Sequence, residues 1–265
     1  MGLIRPVVGI VGGAGRMGSW LARMLERQRF QVLCAGRRTA LTPKKMARQC
    51  DVVVGSVPVS ETEEVIRQVG PLVQERGLLM DLTSVKTRPL ETMLAYSRSD
   101  VVGLHPLFGP ESCGSHPRVA VCPGRGREGQ DWITGVLLRE GYGIKILEAK
   151  EHDRLMGIVQ AANHLSTLTL ALSIARSGLG LQEIADVATE TFRERLDRIR
   201  SIVGQPADLF ASLLMDNPEA ANPIALYASS FEELSRIAGR GDRKAFGDLF
   251  ALLRQFFAES EVTSS

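Results

Sequence analysis

A glycine signature near the start of the chain sets the first constraint. Gly13-Ala14-Gly15-Arg16-Met17-Gly18 fits G-x-G-x-x-G and follows directly on the apolar, β-branched run Pro6-Val7-Val8-Gly9-Ile10-Val11. Behind it Met17, Trp20, Leu21, Met24 and Leu25 recur at helical spacing. Strand, glycine turn and helix in this order confine the segment to a βαβ unit that binds a dinucleotide. In such a unit Gly13 permits the tight turn, Gly15 lets the backbone approach a pyrophosphate, and Gly18 lets helix and strand pack closely. The helix start at Arg16 and Met17 offers N–H groups and a partial positive charge to the phosphates.

The pattern continues through the first half. Short apolar runs at 30–35, 51–58, 78–81, 101–104, 119–122 and 144–147 read as strands. Between them, 17–28, 44–49, 61–73, 89–96 and 130–140 read as helices. Alternation of this kind predicts an α/β fold, a Rossmann-type doubly wound parallel sheet. From residue 150 onward the strand pattern stops. Segments 153–174, 181–189, 192–203, 207–216, 218–239 and 243–257 carry helical spacing, punctuated by glycines. The expected division is a dinucleotide-binding domain over 1–150 and an all-helical domain over 151–265. The helical part is apolar enough that two copies are expected to pair as a homodimer through it.

Bulk properties narrow the partners. A chain of 265 residues is long enough for two cores without disulfides or metals. Its 32 basic and 30 acidic residues form no block of five like charges, so neither nucleic acid nor a membrane surface is an expected partner. Cys34, Cys50, Cys113 and Cys122 lie far apart without a CxxC pair, so free thiols and no metal site are expected. The N-terminus lacks a signal-peptide layout, and no run of roughly 18–20 uninterrupted apolar residues occurs. A cytoplasmic location is the expectation by elimination.

Cofactor choice is written at the end of the second strand. NAD sites place a carboxylate there for the ribose 2′-hydroxyl. This chain has Cys34-Ala35-Gly36-Arg37-Arg38. Two guanidinium groups and no acid favour the 2′-phosphate of NADP, with NAD as the alternative. Val57-Pro58, closing the third strand, is expected near the nicotinamide ribose. Ligands of open α/β sheets lie beyond the C-terminal strand ends. Ser84, Lys86 and His105 all follow strands, so topology sends them toward the reactive end of the cofactor.

The glycine loop, Asp81-Leu82-Thr83-Ser84-Val85-Lys86, His105-Pro106-Leu107-Phe108-Gly109-Pro110, Lys150-Glu151-His152-Asp153 and the Q-A-x-x-H of Gln160 to His164 together resemble the prephenate/arogenate dehydrogenase family. The likeness is nearest to the dehydrogenase half of bifunctional chorismate mutase/prephenate dehydrogenases. It covers nearly the whole chain. No helical segment precedes the glycine loop, so no mutase domain is expected.

The resemblance implies oxidative decarboxylation of prephenate to 4-hydroxyphenylpyruvate, with hydride passing to NAD(P). It implies that His105 accepts the hydrogen bond of the ring hydroxyl, that Ser84 orients His105, and that His164 binds substrate. An arginine of the later helix would hold the carboxylate; Arg200 is the first choice, then Arg198 and Arg193. Lys86 is included among the substrate contacts. Arogenate or 4-amino-4-deoxyprephenate as substrate remains an alternative. A β-hydroxyacid dehydrogenase would need a lysine on the long helix, and 153–174 has none. A non-enzymatic NADP-binding protein would not require Ser84 and His105 at the hydride end.

Overall fold

The computed structural model describes residues 5–109 and 116–261. Pro110 of the His105 motif and Cys113 lie outside the described residues. Seven strands form one sheet in the order β2-β1-β3-β4-β5-β6-β7. They are β1 (Val8–Val11), β2 (Val32–Ala35), β3 (Val52–Gly55), β4 (Leu78–Asp81), β5 (Asp100–Pro106), β6 (Arg118–Arg125) and β7 (Gly143–Ile146). Strands β1, β3 and β4 are buried at every residue. Helices cover both faces, which is why these strands read as continuous apolar runs rather than alternating ones.

Helices α1 (Arg16–Arg27) and α5 (Glu128–Arg139) pack on one face through Leu21, Met24, Leu25, Ile133 and Leu137. On the other face Met46, Ile66, Val69 and Met93 come from α2 (Pro43–Ala47), α3 (Val59–Val69) and α4 (Thr87–Tyr96).

The expected all-parallel sheet needs one correction. Strands β1 to β5 are parallel, but β6 runs antiparallel to β5. Only residues 107–117 join them, fewer than the dozen or so that a parallel crossover needs. Pairing with β6 also prolongs β5 two residues past the expected end at 104, with His105 opposite Ala120 and Pro106 opposite Val119. His105 is thereby a strand residue at the sheet's C-terminal rim. Cys34, Cys50 and Cys122 are free thiols.

After β7 every described element is helical. The helix expected at 153–174 extends over Ala149–Arg176 in three parts: α6 (Ala149–Met156), a π-helical turn (Gly157–Ala162) and α7 (Asn163–Arg176). By length and composition this helix could cross a membrane, at a mean hydropathy of 1.2, although polar residues interrupt its apolar run. Its N-terminal part is tied to the α/β unit by buried polar groups, His152 and Asp153. Then follow α8 (Leu181–Asp186), α9 (Glu190–Val203), α10 (Ala207–Met215), α11 (Ala221–Arg240) and α12 (Arg243–Glu261).

Candidate active site

The glycine loop lies where the chain leaves β1 for β2 on one side and β3 on the other, the switch point at which such sheets bind ligands. Its strained residue is Gly12, at φ +83°, one position before the expected Gly13. A Cβ on Gly12 would lie 2.2 Å from the Ser56 carbonyl oxygen. Gly13 instead abuts the Cys34 thiol, and Gly18 abuts the Gly12 carbonyl, where a Cβ would come within 2.4 Å. Helix α1 starts after Gly15 with no side-chain cap and no acid in its first turn. A close-approach cradle facing an uncapped helix N-terminus suits a pyrophosphate. Gly12→Ala is expected to destabilise the fold by more than about 1 kcal/mol through backbone strain and to weaken dinucleotide binding. Thermal unfolding with and without the dinucleotide measures both.

Around the loop, Arg16 donates to Gln205 Oε1 at 2.9 Å, linking the glycine turn to the helical part. Met17 packs on the core beneath the loop. The two arginines after β2 differ. Arg37 is paired with Glu61 at 2.6 Å, whereas Arg38 is exposed and makes no ion pair among the described residues. Val57 packs into the core below α3, and Pro58 is the cap residue of that helix.

Three strand spacings separate β1 from β5, about 14 Å. At that distance along the rim stands His105, buried, with both ring nitrogens engaged. His105 Nδ1 lies 2.9 Å from His152 Nε2, and His152 Nδ1 lies 2.9 Å from Asp153 Oδ1. His105 Nε2 lies 3.3 Å from the Gln160 amide nitrogen. A carboxylate can only accept, so His152 Nδ1–H donates to it. The other nitrogen of a neutral His152 then accepts from His105 Nδ1–H. That leaves the Nε2 lone pair of His105 to accept from Gln160. One tautomer satisfies the whole chain. Burial first, then the fields of His152 and Lys86, hold the His105 imidazole well below its ordinary range, so it is a neutral base.

Asp153 anchors this chain. Beyond His152, its two oxygens accept the backbone N–H groups of Lys86 and Thr87, at 2.8 and 2.9 Å, capping α4. Burial alone would raise its carboxyl, but the hydrogen bonds of His152, Thr87 and Lys86 outweigh that and hold it below its ordinary value. Asn217 donates to the Asp153 carbonyl at 2.8 Å, tying the helical part to the same point.

The orienting contact expected from Ser84 is therefore made by His152; Ser84 is not among the His105 partners and stays half-buried on the loop before α4. Lys86 also departs from expectation. Its side chain is fully buried, paired with Asp81 and donating to the Leu104 carbonyl at 2.8 Å.

On α7, one turn beyond Gln160, His164 stacks edge-on against Phe210 at 5.2 Å. Its buried Nδ1 has no hydrogen-bond partner among the described residues. Burial, and then the charge of Arg198, lower its pKa. Arg198 is thus the guanidinium whose field reaches His164. Arg200, two residues on and so on another face of α9, bonds Asp197 at 2.9 Å and with Arg193 lines a separate groove of about 410 Å³ against α8. Arg200 and Arg198, the first and second choices from the sequence, thus stand in different surroundings. His152, Asp153 and Gln160 carried no role in the sequence reading. Their signal was membership of the Lys150-Glu151-His152-Asp153 and Gln160–His164 motifs, which carried the family resemblance.

The chain is similar to known proteins along nearly its whole length. Residues 28–120 match the nucleotide-binding domain of prephenate dehydrogenase and residues 148–255 its dimerization domain. The T-protein of Enterobacter agglomerans is 32% identical over 97% of this chain and 68% of its own length. A probable arogenate/prephenate dehydrogenase of Methanocaldococcus jannaschii is 29% identical over 90% of this chain and 58% of its own. In fold, the chain is similar to an Aquifex aeolicus prephenate dehydrogenase solved with hydroxyphenyl propionate and NAD+, at TM-score 0.77 and 17% identity, covering 97% of this chain and 99% of that one.

Proposed function

The chain belongs to the prephenate dehydrogenase family, and from that premise we propose that His105 is the general base of an oxidative decarboxylation that converts prephenate to 4-hydroxyphenylpyruvate in tyrosine biosynthesis. The observation that carries this reading is a neutral imidazole at the sheet rim whose tautomer presents Nε2 as a proton acceptor. A bound nicotinamide supplies the acceptor for the hydride leaving the hydroxyl-bearing ring carbon. As positive charge develops at that carbon, His105 Nε2 takes the hydroxyl proton. His152 holds Nδ1–H, and the Asp153 carboxylate behind it offsets the charge on the ring. When the ring carboxylate leaves as carbon dioxide, its electron pair aromatises the ring, and His105 returns the proton to the oxygen. We assign His164 and Arg198 to the substrate's carboxylates.

The cofactor is a pyridine nucleotide, and we assign NADP over NAD because Arg38, without an ion pair among the described residues, stands beside the loop where an NAD site would need an acid. Arg38→Asp is expected to raise the KM for NADP at least about tenfold and to spare NAD, through loss of a phosphate contact and added repulsion. Steady-state kinetics with the two cofactors checks this.

The domain limits 1–150 and 151–265, a homodimer and a cytoplasmic place of action belong to the same proposal. For pairing, α7 buries none of its 14 residues within the chain, and Phe231, Leu234, Phe250 and Leu253 are exposed on α11 and α12. The test is reduction of NADP and NAD measured side by side with prephenate and arogenate. Prephenate-dependent NADP reduction with release of carbon dioxide is expected. Reduction with neither substrate would overturn the assignment.

A further inference from the structure

We propose that Gln160 is a positioning residue that covers the Nε2 lone pair of His105 until a substrate hydroxyl replaces its amide, and that the π-helical turn at Gly157–Ala162 is what sets it there. The proposal rests on the reading of His105 as the proton acceptor.

The geometry begins with His152 and Gln160, which sit on one helix and engage opposite nitrogens of one imidazole. Eight residues apart on an uninterrupted α-helix, they would point about 80° apart. The wider i→i+5 turn advances less per residue and brings Gln160 round toward the His152 side. That turn is held from outside. A Cβ at Gly157 would meet Pro223 Cγ at 2.8 Å and the Glu219 carbonyl at 3.0 Å, so α11 and the chain before it press directly on the π-turn backbone. Gly157, Ala161 and Ala162 of the turn are buried. A departure from α geometry confined to the turn that carries Gln160 marks this side chain as one whose placement matters.

The amide nitrogen has only N–H to offer. It donates to Nε2 of the neutral ring, but it would face Nε2–H of an imidazolium, donor against donor. Protonating His105 would require the amide to turn over and present Oε1, so the orientation seen here favours the neutral ring before substrate arrives and keeps water from the lone pair. A substrate hydroxyl donates in its place, so the covered state and the reactive state differ only in which group fills one hydrogen bond. The titratable groups whose charges act on His105 are His152 on α6 and Lys86 in the loop after β4, each backed by a carboxylate, Asp153 and Asp81. Asp81 is paired with Lys86, and Asp153 with His152 and the α4 N-terminus. Gln160 is the neighbour that touches Nε2.

The test is the pH dependence of kcat/KM, which reports the free enzyme, for wild type, Gln160→Leu and Gln160→Glu. Removing the donor in Gln160→Leu is expected to move the acid limb to higher pH. The carboxylate of Gln160→Glu stabilises the imidazolium and moves it further, lowering kcat/KM about tenfold or more on the acid side. Cofactor affinity, measured by titration, stays within about twofold, because the glycine loop is three strands away. Acid limbs that superimpose on wild type in variants that still bind cofactor would overturn the proposal. Should Gln160→Glu not fold, Gln160→Leu decides alone. An inactive His105→Asn beside unmoved Gln160 limbs sinks this proposal only; a fully active His105→Asn sinks the reading beneath it.

Discussion

Replacing His105 with asparagine is expected to lower kcat about 10²–10⁴-fold, the usual contribution of general-base catalysis, while leaving cofactor affinity near wild type. The size follows from what the imidazole supplies. Its Nε2 is the one atom whose lone pair, protonation state and place at the rim are set together, by the chain through His152 to Asp153 and by Gln160. Asparagine is short, is not basic near neutral pH, and has no second ring nitrogen to meet His152 at the same position. The loss should fall on kcat and kcat/KM alike, the signature of an interaction made in the transition state and not in the ground state. A rise in KM alone, with kcat intact, would mean that His105 only binds. Because the residue is buried, thermal unfolding of the variant should accompany the kinetics.

The largest effect on stability is expected from Lys86→Met, about 3–5 kcal/mol, the cost of removing one partner of a buried ion pair. For a chain of this size that is a fall in Tm of roughly 6–20 °C. The ammonium group is fully buried between the Asp81 carboxylate and the Leu104 carbonyl. Asp81 keeps Thr83 as a donor on one oxygen, but its other oxygen is buried with no partner among the described residues, so it has little left to lean on. The double variant Asp81→Leu, Lys86→Met should recover much of the loss, because an apolar pair removes both desolvation penalties. A double-mutant cycle by thermal or denaturant unfolding gives the coupling. Loss of the ammonium also removes one of the fields that hold His105 neutral, so any folded Lys86→Met should lose activity at the acid end of its range first.

Much of this was legible in the residues, for physical reasons. Buried parallel strands must be apolar along their whole length, so β1, β3 and β4 announce themselves. A dinucleotide turn needs glycines at fixed offsets, and a histidine at a strand end must reach the rim. What escaped was decided by contacts distant in sequence. The motif does not say which of two adjacent glycines takes the positive φ; the approach of the Ser56 carbonyl does, and it selects Gly12. A lysine two residues after Ser84 reads as a substrate contact until Asp81 is seen beside it inside the sheet. The arginines of α9 cannot be ranked by spacing alone, since their helical faces separate only once His164 is packed against Phe210. The π-helical turn leaves no mark on the pattern of apolar residues, so the helix from Ala149 to Arg176 reads as regular while its irregular turn carries the residue nearest the reacting nitrogen.

A crystal structure with NADP and 4-hydroxyphenylpyruvate bears most directly on the central claim. The phenolic oxygen should lie within about 2.6–3.2 Å of His105 Nε2, with the Gln160 amide displaced from its place and the His152–Asp153 contacts unchanged. A phenol held elsewhere, beside a His105 ring still bonded to Gln160, would contradict the account.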